Sequence, residues 1–136
     1  MQTIYLSGAS SQLALCESYR NDLLEQGWTI TRDWMQVIRD KGGADAVLPV
    51  RDQRHCACAD LEAVREAQVF WLLLPTPPLR TTGAWVELGF ALGLDPRHNK
   101  RPFIMISGAW CSIFDQLADE RFSTHNEALA FIRDLF

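Results

Sequence analysis

Val69-Phe-Trp-Leu-Leu-Leu74 is a run without a single polar side chain, and Pro75 stops it. A short unbroken apolar segment ended by a residue that cannot continue a sheet ladder fits a central strand covered on both faces, which is the mark of a parallel sheet. Just ahead of it, the stretch from about Asp52 to Ala67 reads as a helix with Leu61, Val64 and Ala67 on one face. Behind it, Pro75 to Thr82 is a stiff loop that delivers the chain into Thr82-Gly-Ala-Trp-Val-Glu-Leu-Gly-Phe-Ala-Leu-Gly-Leu94, a helix apolar on nearly every side.

The same alternation extends to both ends. Thr3-Ile-Tyr-Leu-Ser7 is a short strand ending at Gly8, and Gln12 to Gln26 is an amphipathic helix carrying Leu13, Cys16, Tyr19, Leu23 and Leu24, closed by Gly27. Trp28 to Asp33 alternates as a second strand. A short helix through Arg39 and a loop marked by Gly42, Gly43 and Pro49 follow. Pro102 to Ser107 gives a fourth strand, Ser112 to Leu117 a helical turn and Arg121 to Ser123 an edge strand. Thr124 to Leu135 is a closing helix, with Thr124 and Glu127 as its capping box. This order predicts an α/β fold, a flavodoxin-like or Rossmann-like three-layer sandwich with a parallel sheet of about five strands in the order 2-1-3-4-5. One domain over residues 1–136 is expected from the length.

In that topology ligands bind beyond the carboxyl ends of strands 1 and 3, where the strand order reverses. The loop Ser7-Gly-Ala-Ser-Ser11 and the Pro75 to Thr82 loop should therefore line one crevice. Neither is a dinucleotide fingerprint nor a P-loop. Into this crevice the apolar helix would bring Glu87, whose neighbours at helical spacing, Gly83, Ala84, Phe90 and Ala91, include no base. A lone buried charge is costly unless it faces a cleft or binds something. Its place in the first turns of the helix is expected to favour the ionised form, which a nucleophile needs. The alternative is a Glu87 that points to solvent or pairs with Arg80 or another distant base.

Asp60, on the helix before strand 3, reads on spacing alone as solvated, capping or catalytic. Asp33, at the end of strand 2, could look into the crevice, with Trp34 as a stacking surface for a flat ligand.

Charge and composition narrow the partners. Net charge is −4 and 48% of residues are hydrophobic, with pI near 5.3. That balance argues against nucleic acid or an anionic membrane and for a small molecule. No run approaches a membrane span, and Met1 to Tyr5 shows no leader pattern, so a cytoplasmic protein with reduced thiols is expected. His55-Cys-Ala-Cys58 has the wrong spacing for zinc and reads as small buried thiols on or before a helix; no metal is expected. Five tryptophans and apolar helices in so short a chain suggest a self-associating surface, with Trp110 and Phe136 as candidates.

Several of these stretches together resemble the nucleoside 2-deoxyribosyltransferase family and its nucleotide N-glycosidase relatives. They are Tyr5-Leu-Ser-Gly8, Asp60-Leu-Glu-Ala-Val-Arg-Glu-Ala67, Gly83-Ala-Trp-Val-Glu-Leu-Gly-Phe-Ala91, and the ending with Ile113-Phe-Asp-Gln-Leu117, Arg121-Phe-Ser123 and Glu127-Ala-Leu129. The resemblance implies a flavodoxin-like fold, Glu87 as nucleophile and Asp60 handling the base or sugar. It implies Tyr5, Ser7 and Gly8 beside the sugar or phosphate, Gly83 among the substrate-binding residues, and Trp85 next to the sugar or stacked on the base. The chain departs from the family at Gln68, where aspartate is common. The implied reaction is cleavage of a nucleoside or nucleoside 5′-monophosphate through a glycosyl-Glu87 intermediate, with transfer to a second base or to water. No cofactor is called for, and homo-oligomers are common in the family. The competing expectation is a nucleotide-sensing domain that binds in the same crevice without cutting.

Overall fold

The computed structural model describes residues 2–95, 97, 101–109 and 112–135. In chain order the elements are β1 (Thr3–Ser7), α1 (Leu13–Glu25), β2 (Thr29–Ile30), α2 (Trp34–Asp40), α3 (Val50–Glu66), β3 (Val69–Leu73), α4 (Gly83–Gly93), β4 (Phe103–Ser107), β5 (Glu120–Phe122) and α5 (His125–Arg133). The five strands form one sheet in the order β2-β1-β3-β4-β5, every neighbouring pair parallel. The predicted order is the one found.

The apolar run behaves as its composition demands. All five residues of β3 are buried, paired with β1 on one side and β4 on the other. Successive side chains of a strand point to opposite faces, so Phe70 and Trp71 serve different layers. Phe70 stacks on Tyr5, the ring centroids 6.0 Å apart. Trp71 meets Tyr19 of α1 edge-on at 5.6 Å. The Tyr5 layer is covered by α3 and α4, which pack on each other and on β1 and β3, while α5 packs on β4 and β5. Burying a large apolar side chain of this kind contributes about 1.5–3 kcal/mol.

Helix ends follow their local chemistry. Gly27, at φ 89°, lets Trp28 N–H reach back to Leu23 O and Gly27 N–H to Leu24 O, both at 3.0 Å, the Schellman arrangement. Thr124 caps α5 by accepting from Glu127 N–H at 3.1 Å.

Three expectations are corrected. The second strand pairs only over Thr29–Ile30, not from Trp28 to Asp33. Trp28 N–H is taken by the end of α1, and Arg32 and Asp33 turn away to bond Asp60 and to cap α2. Leu24 is 50% exposed, because the buried side of α1 runs through Leu13, Cys16 and Leu23. The thiols of α3 are not buried: Cys56 is half-buried and Cys58 exposed, since that helix buries only its second half, at Ala63 and Val64. Trp110 and Phe136 lie outside the described residues. Among those described, no helix is long and apolar enough to cross a membrane.

Candidate active site

Alternation along β1 aims Tyr5 and Ser7 at the same face of the sheet, two residues apart, and both are fully buried. Helix α4 crosses that face with Glu87 half-buried above them. Tyr5 Oη donates to Glu87 Oε2 at 2.6 Å, and Ser7 Oγ donates to Oε1 at 2.7 Å. Each carboxyl oxygen is thus held by its own hydroxyl, which fixes the plane of the group. The sequence alternatives for Glu87 are not what the structure contains: its partners are these two hydroxyls, and Arg80 forms no ion pair among the described residues.

Burial is the largest influence on Glu87 and pushes its pKa up to about 7, helped by the charge of Asp60; the hydrogen bonds from Tyr5 and Ser7 pull the other way. The helix start is expected to favour the ionised form of this acid, and burial acts against that preference as the largest influence on the group. Burial, reinforced by the Glu87 and Asp60 charges, also raises Tyr5 well above the ordinary phenol range, so it remains a donor.

Above Glu87 lies a cleft of about 430 Å³. Gly8, Ser10 and Ser11 from the loop after β1 form one side, and Arg80, Thr81 and Thr82 from the loop after β3 form another. These are the two loops that the strand order brings together. Trp34 and Asp60 close the remaining side, and Gly83 sits at the start of α4 beneath the opening. Gly8 is required for packing as well: a Cβ there would meet Cys16 Sγ at 2.6 Å.

Asp60 is not isolated. Arg32 Nε donates to its Oδ1 at 2.6 Å. Burial raises the Asp60 pKa, and the guanidinium pulls it back. Sequence reasoning missed Arg32, since no spacing rule connects residues 28 apart on different elements. Trp34 is 8% exposed, and its indole N–H donates to Leu6 O at 2.6 Å, so one ring serves both core and cleft.

Two expected site residues are placed elsewhere. Asp33 caps α2 through Gln36 N–H and bonds Arg20 at 3.1 Å, which commits its carboxylate outside the cleft lining. Trp85 borders an adjoining groove of about 750 Å³ with Leu79 and Phe114, which shares Arg80, Thr81 and Thr82 with the cleft but not Glu87. Two residues along a helix rotate a side chain by about 200°, so Trp85 faces away from Glu87. Gln68, where the resemblance departs, accepts from Thr3 N–H at 2.9 Å at the opposite end of the strands.

A parallel sheet with a buried Tyr-Ser-Glu cluster where its strand order reverses has the layout of a small-molecule site in a doubly wound α/β protein. No family model matches the sequence, and no curated protein sequence does. Among solved structures the chain is similar to the CMP N-glycosidase BcmB of Clostridium botulinum, at 18% identity over 99% of this chain and 100% of that one, with a TM-score of 0.58. That likeness shows a shared fold.

Proposed function

We propose that the protein cleaves the N-glycosidic bond of a nucleoside 5′-monophosphate, ribo or deoxy, through a covalent glycosyl-Glu87 intermediate whose sugar passes to water or to a second base. The observation that carries this reading is the doubly held Glu87 carboxyl at the floor of a cleft. A carboxyl fixed by two hydroxyls is oriented for attack on an anomeric carbon, and orientation supplies much of a rate enhancement. The near-neutral pKa leaves a substantial ionised fraction at pH 7 to act as nucleophile. Once Glu87 is esterified, Tyr5 and Ser7 can donate to the ester oxygen and make the carboxylate a better leaving group for the second displacement. Asp60 serves the base side of the cleft. The similar fold belongs to a protein described as an N-glycosidase, which supports the same class of reaction here.

The monophosphate is preferred to the free nucleoside because of Arg80. It lines the cleft and forms no ion pair among the described residues, beside the hydroxyls of Ser10, Ser11, Thr81 and Thr82, a donor set suited to phosphate. Self-association belongs to the same proposal: Leu79 and Phe114 are exposed apolar groups lining the groove beside Trp85, and sedimentation would show whether the protein is larger than a monomer.

The deciding experiment incubates wild type and Glu87→Gln with nucleosides and 5′-monophosphates and follows free base by chromatography, with mass spectrometry for a glycosylated protein. Release by wild type only, with an adduct on the wild-type chain, supports the enzyme. Equal ligand binding and no release by either would establish a sensing domain instead. A second base in the mixture separates transfer from hydrolysis.

A further inference from the structure

The Glu87 cleft does not end at Asp60. A second cavity of about 240 Å³ shares Ser10, Trp34, Ile38 and Asp60 with it. Its outer wall comes from Ala44, Ala46 and Leu48, and its inner end holds Arg32. It falls short of the roughly 300–1,000 Å³ of pockets that enclose a whole drug-sized ligand, which suits one part of a nucleotide rather than all of it. The guanidinium spends Nε on Asp60, while Nη1 and Nη2 meet no acceptor among the described residues. Lys41 adds a second cation to the lining, and Asp60 is its single acid among the described residues.

We propose that this cavity receives the nucleobase and that Arg32 makes the protein selective for pyrimidines, by donating to the carbonyl oxygen next to the glycosidic nitrogen and holding the negative charge that the base carries away. The assignment rests on the glycosidase reading and deepens it by naming the base class.

The two base classes need different help. A purine departs most readily after protonation at N7, which requires an acid. Asp60 is the only carboxyl in the lining among the described residues, and it would have to give up its 2.6 Å contact with Arg32 to carry a proton. Pyrimidines bonded through N1 carry O2 on the adjacent carbon. As a Glu87 oxygen bonds to C1′, the C1′–N1 bond breaks and its electron pair moves onto the base, spread over N1 and O2. A guanidinium N–H aimed at O2 stabilises that charge as it develops, in a site partly shielded from water. The base then takes a proton from water, and the hydroxide left behind displaces Glu87 from the sugar. Asp60 is thereby a positioning residue: it turns the guanidinium toward the base.

The test compares base release by wild type from uridine, cytidine, adenosine and guanosine 5′-monophosphates, ribo and deoxy, and then repeats the uracil substrate with Arg32→Gln and Arg32→Lys. Pyrimidine release at least tenfold faster than purine release is expected. Arg32→Gln should lose on the order of 100-fold on the uracil substrate, mostly in kcat, with partial recovery in Arg32→Lys. The 5-fluorouracil nucleotide, whose base holds negative charge better by itself, should lose several-fold less, a difference that a merely structural role for Arg32 would not produce. Faster purine release by wild type overturns the inference whatever the variants do, and so does an equal loss on uracil and 5-fluorouracil substrates. Absence of release from every substrate would instead remove the glycosidase reading, and this inference with it.

Discussion

Each face of the sheet carries a chain of polar side chains near the carboxyl ends of the strands, and the two chains differ in charge. On the α1 and α5 face, Trp71 Nε1 donates to Ser107 Oγ at 2.8 Å, and Ser107 Oγ bonds His125 Nδ1 at 2.7 Å. The edge of Tyr19 packs against His125 at 5.5 Å, and Tyr19 Oη donates to Asn126 Oδ1 at 2.7 Å. Burial holds the His125 pKa below its ordinary value, with the Arg121 charge acting the same way against a backbone bond to Leu74. Every link is therefore neutral at pH 7. On the α3 and α4 face, the chain of Tyr5, Ser7, Glu87, Asp60 and Arg32 contains two acids and a base and opens into a cleft. A neutral, hydrogen-bonded chain specifies packing. A buried acid pushed to about 7 is a standing cost to stability, and its retention over a cavity is what a reaction would require.

Glu87→Gln tests the contrast hardest. Base release should fall by roughly 10⁴-fold or more, while stability moves the other way. The folded-state pKa of Glu87 lies above its ordinary 4.5, so the folded protein holds this proton more tightly. Wild type then loses stability as pH rises from about 4.5 to about 7, and the loss is complete above that. Glutamine carries no charge, so the variant should gain up to roughly 3 kcal/mol at pH 8 and nothing at pH 4, read by urea unfolding. A variant weakened equally at both pH values would erase the distinction between the faces.

Smaller effects sharpen it. Wild-type kcat/KM should climb with pH through about 7 as Glu87 ionises in the free enzyme. Tyr5→Phe removes a donor that lowers the Glu87 pKa, so the acid limb should move to higher pH and activity at pH 7 should fall about 10–100-fold; an unmoved limb would mean that Tyr5 only packs. On the other face, Ser107→Ala strips the Trp71 indole and His125 of their shared partner. It should cost about 1–3 kcal/mol, seen as a lower Tm, with base release per folded molecule unchanged. Asp33→Ala, which loses the α2 cap and the Arg20 contact, should cost about 1 kcal/mol and leave release untouched.

Much of this was legible in the chain before folding. The apolar run Val69–Leu73, the strand at Thr3–Ser7 and the helix around Glu87 could be placed to within a residue or two, and their alternation sufficed for the sheet order. The solitary acid stood out because nothing at helical spacing could neutralise it. The strand-order rule then put the loops after β1 and β3 in one crevice, which brings Tyr5 and Ser7 within reach of a residue 82 and 80 positions away.

Tertiary structure alone decided the partners. Arg32 on Asp60, Asp33 turned to a cap, Trp85 rotated off the cleft and the exposure of Cys58 follow from where a short second strand ends and how α3 and α4 cross the sheet. Periods of 2 and 3.6 residues are local, so a sequence states which face each side chain occupies. Which side chain stands opposite is set by register and packing between segments far apart in the chain, and so are the proton affinities that follow from that meeting.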